Sequence, residues 1–521
     1  MRRSCGKHFH ERRGMMTRYW TSRAAVVAAL AFPGPAMADV TANEVWQDFK
    51  ATYADMGVEM TATEETTAQG LSVRDMVMRI ELPEDEGMVE VTVPGLSLSD
   101  QGDGTVEVSV PNVMPITVMV DPADDSEENV EITLEHAQTG FSTVVSGTSG
   151  ADMNYAYSAA ESVVRLTRVV VDGEPQDIGT AMITLSNIAG VTDVVSGAVR
   201  AYTSDLTIGA LSYDMDFVDP ENEDGFVRVE GTLNDLTSES EGKIPEAVDY
   251  REDMAGALRA GFGMAAKLSY GSGNSAFAVD ADGVQSEGTS QSAGGTLEFG
   301  IAQDGLRYGV SARDVVMNMT SSEMPFPVAA SLAEMGLNLT VPVSSSEERQ
   351  EFGLSIALRE LSVPEQMWAM VDPGGQLPHD PATLHVDLGG NVTLEHDMMD
   401  AEKMEELDQP PGKLHDARIN ALQVSVAGAE LTGDGAFTFD NSDLQTFDGM
   451  PRPEGKVSLR LEGAHALLDK LTAMGLIPED QVTGTRMMLG LFSTPAGDDV
   501  LTSDIEVTPD GKVLANGERI K

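Results

Sequence analysis

From Leu71 onward the apolar residues fall on every second position. Met76, Met78, Ile80 and Leu82 are followed by Val89, Val91 and Val93, then by Val106, Val108 and Val110, and then by Val130, Ile132 and Leu134. Period two over successive short runs predicts antiparallel strands that each bury one face. Turn signals separate the runs, and Asp-Gly recurs at Asp103, Asp172, Asp224, Asp282, Asp304, Asp434, Asp448 and Asp510. That dipeptide tolerates the positive φ angles of tight hairpins, so the connections are expected to be local. Parallel sheets need crossover helices, which the pattern does not supply. The expected fold is mainly β: extended, curved antiparallel sheets with a few short helices at the ends of strand blocks.

Three segments break into helical spacing. Thr41-Ala-Asn-Glu44 is a capping box, followed by Val45, Trp46, Phe49, Tyr53 and Met56 and stopped by Gly57. A second helix is predicted from Ser362-Val-Pro-Glu365 to Asp372-Pro373. Residues 464–492 read as a helical hairpin. Leu467, Leu468, Leu471 and Met474 form its first stripe, Gly475 caps it, and Pro478 opens a second helix bearing Met488, Leu491 and Phe492. The polar stretch 234–249 lacks strand alternation. It suggests a division into an N-terminal helix plus β region, 39–240, and a C-terminal β region, 241–521.

Residues 1–38 differ in character: basic up to Arg23, apolar from Ala24 to Phe32, then Ala36-Met37-Ala38. This is the pattern of a secretory signal cleaved before Asp39, with residues 1–14 as a mis-started extension and with the periplasm as the destination. The apolar run is about half the ~20 residues needed to span a bilayer, so no stable transmembrane anchor is expected. The single cysteine, Cys5, lies in that segment. Beyond residue 38 the chain has 26 basic against 84 acidic residues. Nucleic acid and anionic membrane surfaces would repel it.

Several stretches resemble an uncharacterised alphaproteobacterial family, domain of unknown function 2125. They are "DVTANEVWQDFKATYADMG" at the start of the mature chain, "SSEMPFPVAASLAEMGLNLTVPV" at 321–343, "LSVPEQMWAMVDPGGQLPHDPATL" at 361–384, and the segment 428–481. The resemblance implies a secreted, extended antiparallel fold without assigned catalytic residues. A looser likeness to AsmA-like envelope proteins rests on an N-terminal helix ahead of long strand runs.

The strongest chemical candidate is residues 377–400, where His379, His385 and His396 stand among Asp380, Asp387, Asp397 and Asp400. If a hairpin turns about Gly389-Gly390, Val386 pairs with Val392 and Leu384 with Leu394. His385 and Asp387 then face solvent, His396 takes the other side and His379 precedes the strand. Metal ligands must converge within about 2.0–2.2 Å of one ion, and this register separates them, so no metal is expected. "DPENEDGFVRVE" at 219–230 has acids at its first and last positions but Asp224 where a calcium loop needs glycine. No nucleophile elbow, zinc-protease motif or phosphate loop occurs. What remains is a non-enzymatic protein without cofactor whose concave apolar face, represented by Met76, Met78, Ile80, Val91 and Val108, takes a lipid or other hydrophobic ligand. A partner in the envelope would fit the same surface. Two alternatives stay open: an interaction scaffold with a filled core, and a hydrolase with a dispersed site.

Overall fold

The computed structural model describes residues 39–82, 87–122, 128–219, 222–281, 283–407 and 409–521. The proposed signal and its cleavage site therefore lie outside the described residues, as does Asp282. Every strand pairing is antiparallel, and all belong to one sheet. Among the described residues the helices are α1 (Ala42–Asp55), α2 (Met254–Arg259), α3 (Glu365–Val371), α4 (Ala401–Glu405), α5 (Ala464–Ala473) and α6 (Glu479–Phe492). α1 starts as its capping box dictates: Glu44 N donates to Thr41 Oγ1 and Thr41 N donates to the Glu44 carboxylate at 2.9 Å. α3 begins after Pro364, and α5 and α6 form the expected hairpin around Gly475 and Pro478.

The stretch from residue 234 is not a linker. Residues 234–245 complete the strand Asn222–Pro245, which pairs on one side with Val199–Asp219 and on the other with Gly263–Tyr270 and Ser272–Ala281. The sheet thus runs across the boundary expected near residue 240, and residues 39–521 belong to one unit. Polar residues suit this strand because one of its faces meets water.

A crease crosses the sheet. Asp75, Asn187, Asp235, Asp314 and Glu360 lie in or beside strands with φ between 48° and 55°. They align from strand to strand: Asn187 packs over Gly209, and Asp235 over Gly271. Pairing resumes in unchanged register on either side, as with Ser186↔Ala210 and Ile188↔Ile208. A left-handed residue interrupts the two-residue alternation, and the sequence shows the reset. In Asn222–Pro245 the apolar positions include Val227, Val229 and Leu233 before Asp235, then Leu236 after it. Leu71 and Val73 before Asp75, and Met76 after it, are buried in the same cluster, so both halves of a strand keep their apolar residues on one side. Side chains beside the crease are buried, with Leu236 at 3%, Val315 at 6% and Leu332 at 7% exposure. Asp235 and Asp314 themselves are exposed. The sheet therefore bends toward its apolar side, and the crease is the floor of a trough.

Three expectations are corrected. Gly389-Gly390 is not a turn: Ala382–Leu394 is one continuous strand, and the ring of Phe352 lies where a Cβ on Gly390 would be, 2.5 Å from its Cζ. Gly390 makes room for the ring and for the Asp416 carbonyl instead of reversing the chain. A tight two-residue turn at Asp510-Gly511 would set Val507 opposite Leu514; the C-terminal hairpin forms, but Val507 pairs with Val513 and Glu506 with Leu514. Val507 and Leu514 thus fall on opposite faces, because Thr508 bonds across to Lys512 and closes a loop longer than Asp510-Gly511 alone. Asp224-Gly225 and Asp434-Gly435 lie within strands.

Packed core is concentrated in two places. α1 buries Val45 and Trp46 on the apolar face against Leu71, Val73, Met76, Val106, Val145, Met153 and Val194. α2 and Phe262 pack against Ile301 and Val343.

Candidate functional site

The apolar positions line up across the whole sheet. One row begins at Leu71 and Leu98, passes Val108 and Thr143, and reaches Tyr157, Gly190 and Leu206. It crosses Ser238, Leu268 and Leu297. It then runs through Val310, Leu337, Ile356, Val386 and Leu422 to Gly433 and Leu459. Directly opposed residues share a face of an antiparallel sheet, so this is a continuous stripe. From Leu268 to Leu459, neither it nor the neighbouring rows of the same face carry a charged residue. The charges take the alternate positions: Lys267 bonds Glu298 at 2.6 Å, Arg359 bonds Glu334 at 3.1 Å and Lys456 bonds Asp504 at 2.9 Å, each pair on the opposite face.

The stripe is open along its middle. Leu297 is 44% exposed, Phe299 41%, and Tyr308, which stands opposite Phe299, 38%. Exposures of this size show that no second layer closes over them. A depression of about 550 Å³ spans five strands, with the directly opposed Met215, Val229, Phe277, Gly288 and Met319 along its middle and Asp214, Asp216, Arg228, Glu230 and Glu287 in the flanking rows. Those charged residues alternate with Met215, Val229 and Gly288 and so have the parity of the polar face.

At its N-terminal end the trough is closed by α1. Arg200 reaches from the sheet to the Asp48 carboxylate, and Tyr155 OH donates to the same carboxylate. Burial pushes the Tyr155 hydroxyl well above its usual range and that of Tyr202 up to about 12, and it also raises the Asp55 carboxyl. This polar cluster is held beneath the helix and anchors it.

Of the residues expected to line a ligand face, Met78 and Val91 are paired and half-buried, and Ile80 is 39% exposed two positions along. Val108 belongs to the long stripe across the crease. Met76, at 4% exposure, is sealed in the α1 core. The open residues Leu297, Phe299, Tyr308 and Met335 were not singled out from sequence. Leu297 and Phe299 alternate cleanly within Gly295–Ala302, whereas the strand that carries Tyr308 resets its alternation at Asp314.

The histidines do not come together. His379 stacks on Trp368 at 4.4 Å, with Nδ1 3.0 Å from Glu365 and Nε2 3.7 Å from the buried Asp372. His385 shares parity with Asp387 and Gly389 on the polar face, and His396 lies beyond the strand. Asp397 accepts from Ser345 N and Oγ and pairs with Arg259. Among the described residues no three His, Cys, Asp or Glu side chains are grouped to hold a metal. A Ser–His contact does exist, His136 Nε2 to Ser162 Oγ at 2.9 Å. No carboxylate among the described residues orients the other ring nitrogen, so the arrangement lacks the third member that makes such a pair a nucleophile.

A family model described as an uncharacterized protein conserved in bacteria, DUF2125, matches residues 255–516, half of the chain. The stretches at 321–343, 361–384 and 428–481 fall within it; the α1 segment does not. No curated protein and no solved structure matches.

Proposed function

Because this chain belongs to the DUF2125 family of bacterial proteins, whose description carries no activity, we propose a function from the trough alone: it holds the hydrocarbon part of a lipid or similar hydrophobic ligand, without catalysis. The observation that carries this reading is the charge-free stripe left open at Leu297, Phe299 and Tyr308. Apolar surface in water is unfavourable by roughly 25 cal/mol per Å², and a contiguous patch of this kind marks a binding surface. Its lining is continuous from strand to strand, which suits flexible chains. Within this proposal the protein acts in the periplasm, delivered there by residues 1–38, and serves envelope maintenance. The likeness to AsmA-like proteins carries no weight in it.

Native mass spectrometry of gently purified protein tests the proposal. Bound phospholipid or fatty acid is expected, and Phe299→Asp should lower its occupancy several-fold while the chain stays folded. Ligand-free wild-type protein would favour the interaction scaffold instead.

A further inference from the structure

This inference rests on the trough as a lipid site and concerns where lipid enters. α5 and α6 follow directly on the strand Arg452–Glu462, which carries Leu459 and Leu461 at the C-terminal end of the apolar rows. The carbonyl of Phe492, the last residue of α6, accepts from Ser503 Oγ and from Asn516 Nδ2, the latter at 2.9 Å. Ser503 stands opposite Leu459. α6 therefore ends over the apolar side of the sheet, at the far end from the sealing helix α1.

α6 is apolar on two sides. Val482 is buried, but Met487, Met488 and Leu491 are 71%, 55% and 61% exposed, and Leu476 in the turn before α6 is 50% exposed. Nothing lies within 4 Å of a Cβ placed on Gly484 or Gly490, so this side stands clear of the rest of the chain. A helix with a second apolar face needs a second apolar environment. Its side chains are flexible methionine and leucine without an aromatic anchor, which suits a fluid medium better than a shaped protein pocket. Glu479 and Asp480 open α6, and beyond residue 38 acidic residues outnumber basic ones 84 to 26, so an anionic surface would repel it.

We propose that the α5–α6 hairpin docks on a zwitterionic lipid surface, seating Met487, Met488 and Leu491 in the interface so that lipid passes between the bilayer and the C-terminal end of the trough. Interfacial helices bind in this way through their buried apolar area.

Flotation with phosphatidylcholine vesicles tests this on the full secreted chain. Wild-type protein should float, and should do so less with phosphatidylglycerol in the vesicles. Met487→Asp combined with Leu491→Asp should reduce flotation by about tenfold with an unchanged melting transition, because both sites are exposed. Phe299→Asp separates the two readings: it should float like wild type yet carry less extractable lipid. The docking proposal is overturned if wild-type protein stays in the soluble fraction or if the double variant floats equally well. It is also overturned if light scattering shows a dimer that the double variant dissociates, since the face would then bind a second copy.

Discussion

Asp48 and Arg200 are each less than a tenth exposed, so either one alone would be a buried, uncompensated charge. Asp48→Ala is expected to cost about 3–5 kcal/mol in denaturant unfolding, toward the lower end because Asp55 stays 3.6 Å from Arg200. Tyr155→Phe removes one hydrogen bond to a charged carboxylate and should cost about 1.5–3 kcal/mol. His136 offers a test by pH. Burial holds its pKa below the ordinary value, so the folded protein favours the neutral ring. The associated stability is fully present above the unfolded pKa of about 6.5 and declines as pH falls below it. His136→Gln should flatten the stability profile in that window, and an unchanged profile would assign the acid sensitivity elsewhere. On the polar face, removing His385 and Asp387 together should change stability by no more than about 0.5 kcal/mol, since the Asp387 bond to Asn420 is exposed.

The antiparallel β character, α1, α3 and the α5–α6 hairpin were legible because each rests on local chemistry, period two, a capping box, glycine and proline at helix ends; α2, α4 and the strand through residues 234–245 were not. Register was less legible, because it depends on what a glycine faces across the sheet. Gly390 resembles a turn in sequence and serves as a seat for Phe352 in the fold. The crease was also hidden, since nothing near Asp235 or Asp314 distinguishes an aspartate in a turn from one that takes positive φ within a long strand. Side chains other than Asn, Asp and Gly adopt that conformation poorly. Asp314→Val should therefore destabilise by about 1–2 kcal/mol, while Asp314→Gly should be tolerated within about 1 kcal/mol. Equal tolerance of both would contradict the role given to the crease residues.

At the scale of the molecule, ion pairs such as Lys267–Glu298 and Arg359–Glu334 take one face of the sheet, while the stripe from Leu268 to Leu459 on the other face carries no charge, and α1 closes the far end of that face. The sequence made an apolar face legible at Met78 and Val91 but not its extent, which appears only when Leu268, Leu297, Val310 and Leu337 are placed side by side. Reversed alternation across the crease hides that alignment in any single strand. The central claim is that the neutral face is open and takes hydrocarbon, and adjacent residues of opposite parity test it most directly. The only cysteine is Cys5, in the proposed signal, so Leu297→Cys and Glu298→Cys each place one thiol in the mature chain. Protein carrying either can be exposed to a fatty acid bearing a thiol-reactive group on its chain. The account predicts rapid labelling at position 297 and little at 298; equal labelling at both, or labelling at 298 alone, would contradict it.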